Sequence, residues 1–260
     1  MRPHHKEAIE KFTEIIKNDP KFIGLIIGGS IVKGYERNDS DIDVILIATD
    51  EEYQKRKKRN KFGYFNDRAC NYEDGYIDGK VVNLDFLKIV AERGSEPARE
   101  LFKDAYITYS KIPELEEILH KIPVYQKNEQ SEKIQKFYSQ FQVAYWYCQE
   151  AIRLNNMYLL TRAISDLILY GGRLILAHNE VLYPYHKWFL RVLSEVRDRP
   201  EDLMVQINNI LEKKDSDSIN IFYNTIRTFR RWDIKVNPFV QFMLDTELAW
   251  LDGKSWIGDL

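Results

Sequence analysis

The sequence predicts an α+β protein, with an N-terminal mixed-sheet domain over residues 1–125 followed by a C-terminal all-α helical bundle over residues 126–260. Three observations lead there. Of the 12 glycines, eight fall at or before Gly94 and none lies between Gly94 and Gly171, so turn-rich short segments give way to long uninterrupted ones. Apolar residues change from short runs bounded by turn residues to stripes at helical spacing. All five tryptophans (Trp146, Trp188, Trp232, Trp250 and Trp256) belong to the second half. The polar stretch PVYQKNEQS (123–131) marks the junction.

Taken in order, residues 6–17 place Ala8, Ile9, Phe12, Ile15 and Ile16 at helical spacing, ended by Asn18-Asp19-Pro20. FIGLII (22–27) is a short apolar run between turn residues, a buried strand. DIDVILIA (41–48) reads as a second strand, with Asp41 and Asp43 on one face and Ile42 and Val44 on the other. Residues 50–61 read as helix. Asp78-Gly79 reads as a hairpin turn into a third strand, KVVNLDFL (80–87), on which Val81, Asn83 and Asp85 share a face. AYITYS (105–110) suits a further strand before a helix in PELEEILHKI. In the second half Phe137, Phe141, Ala144, Tyr145, Cys148 and Ile152 form one helical stripe, and Leu160, Ile164, Leu167 and Ile168 another. Pro184, Pro200 and Pro238 each suit the first position of a new helix.

Composition narrows the function classes. Lys plus Arg total 38 and Asp plus Glu 40, a formal net charge of -2, which provides no field for coating a polyanion and makes nucleic acid an unlikely general partner. No apolar run reaches membrane-helix length, and MRPHHKEAIEKF lacks a signal-peptide core. Cys70 and Cys148, the only cysteines, share no metal-site spacing, so a disulfide framework is excluded and the cytoplasm is the expected compartment.

The stretch that carries chemistry is Gly28-Gly29-Ser30, a spacer, then Asp41-Ile42-Asp43, joining the two predicted strands. Carboxylates at i and i+2 on a strand point the same way and suit a pair of divalent cations about 3.5–4 Å apart. An all-carboxylate set favours hard Mg²⁺. Glycines let backbone approach a phosphate closely, and the Ser30 hydroxyl and neighbouring N–H groups suit its oxygens. These are parts for handling a nucleoside triphosphate.

GGSIVKGYERNDSDIDVILI resembles the signature of the DNA polymerase β-like nucleotidyltransferase superfamily: hydrophobic strand, Gly-Gly/Ser, spacer, Asp-hydrophobic-Asp. Ile31 and Val32 depart mildly from a more usual Gly-Ser-Arg-Ala opening. The resemblance covers residues 22–87 and implies a third carboxylate on a later strand, for which Asp85 fits. An α/β half followed by a bundle is similar to kanamycin nucleotidyltransferase and other antibiotic nucleotidyltransferases. The implied activity is Mg²⁺-dependent transfer of a nucleoside monophosphate, AMP from ATP, to a hydroxyl of a small molecule, with release of pyrophosphate. Asp41 and Asp43 would bind two metals, and Asp85 would bind the second and orient or deprotonate the acceptor. The alternatives are a nucleotide-binding regulator or antitoxin-like protein without transfer, and an RNA 3′-end nucleotidyltransferase.

Other signals are less specific. KRKKRNK (55–61) suits either RNA or triphosphate attraction, or a solvated helix face. Arg162, Asp166, Tyr170 and Arg173 form one polar helical stripe, either lining the acceptor side or holding an internal Arg–Asp pair. Arg173 and His178 have an Arg-x4-His spacing similar to that of HEPN ribonucleases, or His178 simply ends a helix. In LYPYHKWF (182–189), Lys187 suits a phosphate contact, with packing over the neighbouring aromatics as the other reading.

Overall fold

The computed structural model describes residues 1–254, and the chain divides into two compact units, Met1–Val124 and Tyr125–Leu260. Trp256 lies outside the described residues. The fold is α+β.

The first unit runs α1 (Pro3–Lys17), β1 (Phe22–Ile27), α2 (Gly29–Val32), β2 (Ile42–Ala48), α3 (Asp50–Lys58), β3 (Gly63–Asn66), β4 (Ile77–Val82), α4 (Leu84–Arg93), α5 (Glu96–Glu100), β5 (Tyr106–Ser110) and α6 (Leu115–Lys121). Among the described residues the strands form one mixed sheet in the order β3-β4-β2-β1-β5, with β2 and β4 parallel and the other neighbours antiparallel. Side chains alternate across a strand, so Ile42, Val44 and Leu46 of β2 pack with Phe12 and Ile16 of α1. Ile45 and Ile47 face the other layer, with Leu87 and Val90 of α4 and Leu115 of α6. Both sheet faces are covered, which is why β1 and β2 read as nearly continuous apolar runs.

The structure corrects the region after residue 76. Asp78-Gly79 is not a turn: both lie inside β4, with Asp78 paired to Asp43 and Gly79 to Val44. A Cβ on Gly79 would stand 2.4 Å from the Val44 carbonyl oxygen, so glycine here permits close strand approach rather than chain reversal. The predicted strand 80–87 ends at Val82. Asn83 then caps α4, its side-chain oxygen accepting from the Phe86 N–H at 3.1 Å, which places Asp85 in a helical turn. Strand β3 and helix α5 have no counterpart in the sequence reading.

The second unit contains α7 (Gln130–Arg153), α8 (Met157–His178), α9 (Phe189–Glu195), α10 (Leu203–Lys213), α11 (Ser216–Phe229) and α12 (Pro238–Phe242). Phe141, Ala144 and Cys148 of the predicted α7 stripe are buried with Leu160, Ile164 and Leu167 of α8 and Phe222 of α11. Ile152, at the end of that stripe, is exposed. The stripe drifts off the seam over the length of the helix. Asn156 caps α8, accepting from the Leu159 N–H at 3.0 Å. Pro238 opens α12 as its first residue, whereas Pro184 and Pro200 precede the helical turns that follow them by two or three residues. No helix among the described residues is long and apolar enough to cross a membrane.

Candidate active site

The site starts where β1 ends. Ile27 pairs with Val44, and the Gly28 N–H donates to the Asp43 carbonyl at 3.0 Å, which holds the glycine pair beside the start of β2. Gly29 has φ +72°, and a Cβ built on it would fall 1.8 Å from Asp43 Oδ2. The Asp43 carboxylate therefore occupies the space a side chain at position 29 would need. Two independent constraints, a left-handed backbone and a carboxylate at van der Waals contact, select glycine here. Ser30 follows, buried in the first turn of α2, and its hydroxyl makes no hydrogen bond among the described residues. Behind α2, Lys33 Nζ reaches Glu100 Oε2 at 2.7 Å and Oε1 at 2.8 Å, a buried ion pair that ties α2 to α5.

Parallel pairing of β2 and β4 sets Asp43 and Asp78 side by side on the same sheet face, and Asp41 stands just before β2, two residues ahead of Asp43. Their charges converge on Tyr76. Its phenol is pushed above its ordinary pKa by Asp41 first, then by burial, Asp78 and Asp43, since each carboxylate opposes formation of a phenolate. The loop before Asp41 is pinned: the Arg37 N–H donates to Ser40 Oγ at 2.8 Å, and Tyr72 OH donates to the Ser40 carbonyl at 2.8 Å. Arg37 also pairs with Asp39 at 2.9 Å, and its guanidinium pKa is raised by Asp39 foremost, with a smaller contribution from Asp41.

The carboxylate that the strand register brings to Asp43 is Asp78. Asp85 is exposed in the first turn of α4, where a negative side chain favours the helix N-terminus. Asp78 escapes a sequence reading because Asp-Gly is also a strong turn signal. The alternation Ile77, Gly79, Val81 around it was the available clue.

Among the described residues no group of three or more His, Cys, Asp or Glu side chains is placed to hold a metal ion. Asp43 and Asp78 are two carboxylates in register, the number through which a hard cation such as Mg²⁺ usually binds, its remaining ligands coming from water and substrate phosphate.

The remaining candidates lie in other settings. The KRKKRNK segment begins on α3, where Lys55 pairs with Glu51 at 2.7 Å and Arg56 with Glu52 at 2.8 Å. In the second unit, Lys187 is exposed in a 3₁₀ turn (His186–Trp188), with its Nζ 5.3 Å from the Trp188 ring centroid. Arg162 and Asp166 form an ion pair at 2.7 Å. The Arg173 guanidinium sits 4.2 Å from the Phe137 ring and 4.3 Å from the Tyr183 ring, while His178 meets Asp198 at 2.5 Å and also Arg230. Arg173 is thus engaged with rings and His178 with a separate polar group of Asp198 and Arg230.

No protein-family model matches the chain, and no curated protein matches it. Among solved structures, the chain is similar to a nucleotidyltransferase-like protein from Exiguobacterium sibiricum 255-15, at 9% identity and a TM-score of 0.47, over 86% of this chain and 73% of that one.

Proposed function

We propose that the chain is a Mg²⁺-dependent nucleotidyltransferase that moves a nucleoside monophosphate, AMP from ATP, onto a hydroxyl of a small molecule and releases pyrophosphate. One observation carries this reading: the Asp43 carboxylate lies against Gly29 of the Gly-Gly-Ser turn and is in register with Asp78. A phosphate-cradling turn and a carboxylate pair are thereby joined through one residue.

In this reading the Gly28 and Gly29 backbone admits the triphosphate closely, and the Ser30 hydroxyl donates to one of its oxygens. Asp43 and Asp78 would hold the divalent cation, with the charge of Asp41 beside them, and the cation when bound neutralises charge on the phosphate oxygens. Asp78 takes the role first given to Asp85, accepting the proton of the acceptor hydroxyl as that oxygen attacks the α-phosphate in line and pyrophosphate departs. The Lys33–Glu100 pair keeps α2 and its preceding turn in place, so the protein's contribution is chiefly positioning.

The test is calorimetric titration of Mg·ATP into parent and Asp43→Asn proteins, paired with a pyrophosphate-release screen over hydroxyl compounds and short RNAs. Parent protein binds and turns over with at least one acceptor, and a folded Asp43→Asn protein does neither. Full activity in that variant refutes the assignment. Release with RNA alone replaces the small acceptor by a 3′ end.

A further inference from the structure

Across the sheet that carries the site, the functional elements stand in a fixed order. The Gly28-Gly29-Ser30 turn follows β1, Asp43 is on β2, Asp78 on β4 and Phe65 on the edge strand β3. Asp43 pairs with Asp78, and Asp78 with Phe65, so the three side chains form a row on one sheet face. Neighbouring strands lie about 4.8 Å apart, which puts Phe65 one strand beyond Asp78, on the side away from the glycine turn.

Phe65 is 63% exposed, the most exposed phenylalanine among the described residues. Apolar residues scattered singly over a surface need no account, but this one has a companion. The ring of Tyr76, itself 36% exposed, lies 5.5 Å from it centroid to centroid, with the planes inclined by 30°. That is nearer to parallel than to edge-on, an arrangement that a third flat ring can extend. Tyr76 is also anchored at the site, since its carbonyl accepts from the Ile42 N–H at 3.0 Å, between Asp41 and Asp43 in the chain. The carboxylates that hold its phenol protonated are those of the site itself. An aromatic pair thus borders the carboxylates on one side as the glycine turn borders them on the other.

The geometry of displacement says what such a pair would meet. In phosphoryl-type transfer the attacking oxygen, the phosphorus and the departing oxygen lie roughly on one line. With pyrophosphate held at the glycine turn and the α-phosphate over Asp43, the attacking oxygen comes from the Asp78 side. There the acceptor oxygen bonds to the α-phosphorus as the bond from phosphorus to the pyrophosphate oxygen breaks, and the hydroxyl proton passes to Asp78. The rest of the acceptor then extends over Phe65 and Tyr76. The nucleoside hangs from a third oxygen of the α-phosphate, off that line, and does not compete for the rings.

We propose that Phe65 and Tyr76 form the acceptor subsite, and that the acceptor is a small hydroxyl compound with a flat aromatic ring that stacks on the pair. This rests on the nucleotidyl-transfer reading, and the test separates the two.

The full chain with Mg²⁺ and a non-hydrolysable ATP analogue is titrated calorimetrically with naphthylethanol and with its saturated decahydro counterpart. The parent binds the flat alcohol saturably at one per chain. It binds the saturated alcohol, although that is the more hydrophobic, about fivefold or more weakly. Phe65→Ala and Tyr76→Ala each weaken the flat alcohol by about fivefold or more and leave the affinity for Mg·ATP within about twofold. Phe65→Leu keeps apolar bulk without a flat ring; it weakens binding likewise and carries the test should Phe65→Ala unfold, while Phe65→Trp retains binding. In pyrophosphate release with naphthylethanol, the KM for the alcohol rises by the same factor in Phe65→Leu. A parent protein that does not bind Mg·ATP refutes the nucleotidyl-transfer reading and removes the acceptor role with it. A parent that binds Mg·ATP but not the flat alcohol, equal affinity for the two alcohols, or unchanged affinity in a folded Phe65→Leu protein overturns this proposal alone. Pyrophosphate release with short RNA and with no aromatic alcohol overturns the small acceptor and gives the pair to a terminal base.

Discussion

Replacing Gly29 by alanine tests the geometry on which the candidate site depends. Gly29 has φ +72°, and its Cβ would fall 1.8 Å from Asp43 Oδ2 and 2.5 Å from Asp43 Cγ. No adjustment of a few tenths of an ångström relieves such an overlap, so the carboxylate must leave its position. A left-handed alanine costs about 1–2 kcal/mol by itself. Gly34 provides the internal control: its φ is +70°, yet nothing lies within 4 Å of a Cβ there. Gly34→Ala should therefore lose only the backbone term, about 1–2 kcal/mol, and keep Mg·ATP binding. Gly29→Ala should lose that amount plus the cost of moving a packed carboxylate, about 3 kcal/mol in all by analogy with overpacked sites. It should also lose Mg·ATP binding in parallel with Asp43→Asn. Urea denaturation gives the stability difference and calorimetry the binding. If Gly29→Ala is no more destabilised than Gly34→Ala and binds Mg·ATP like the parent, Asp43 does not rest against Gly29 and the site is built otherwise.

Three further outcomes are expected. Asp78→Asn should abolish turnover, whereas Asp85→Asn, altering an exposed helix-start residue, should leave it within about twofold; a pyrophosphate-release assay distinguishes them, and the reverse pattern restores Asp85 as the third carboxylate. Lys33→Met leaves the buried Glu100 carboxylate unpaired and should cost about 3–5 kcal/mol in urea denaturation, with Lys33→Met/Glu100→Leu recovering much of the loss; equal stability of the single and double variants contradicts this. His5 is buried against His4 and Tyr72, and burial foremost holds its pKa below the ordinary 6.5. The unfolded chain therefore takes up this proton first, so stability is full above pH 6.5 and is lost as pH falls toward the lower folded value. His5→Phe should flatten the urea midpoint over that window, and an unchanged slope refutes the linkage.

Much of the first unit was legible because its signals are local. FIGLII and DIDVILIA announce strands through apolar content and bounding turn residues, and Gly28-Gly29-Ser30 with Asp41 and Asp43 can be read without knowing any distant neighbour. Alternation predicts the two aspartates on one face, whereas β2 begins at Ile42 and leaves Asp41 just before it. The Arg162–Asp166 pair follows in the same way from helical spacing.

What the sequence left open depends on pairing between distant segments. Asp-Gly at 78–79 satisfies the local rules for a turn and for a tight strand contact equally. Only the parallel register of β4 on β2, across the 28 residues between them, chose the strand and set Asp78 beside Asp43. The same choice ended the strand at Val82, let Asn83 cap α4, and removed Asp85 from the sheet. Gly29 was legible as a glycine in a turn. That its missing side chain makes room for the Asp43 carboxylate is a fact of packing between the start of α2 and β2. Local pattern determines which elements can form, but the contacts that bring functional groups together come from non-local pairing, which tertiary packing alone selects.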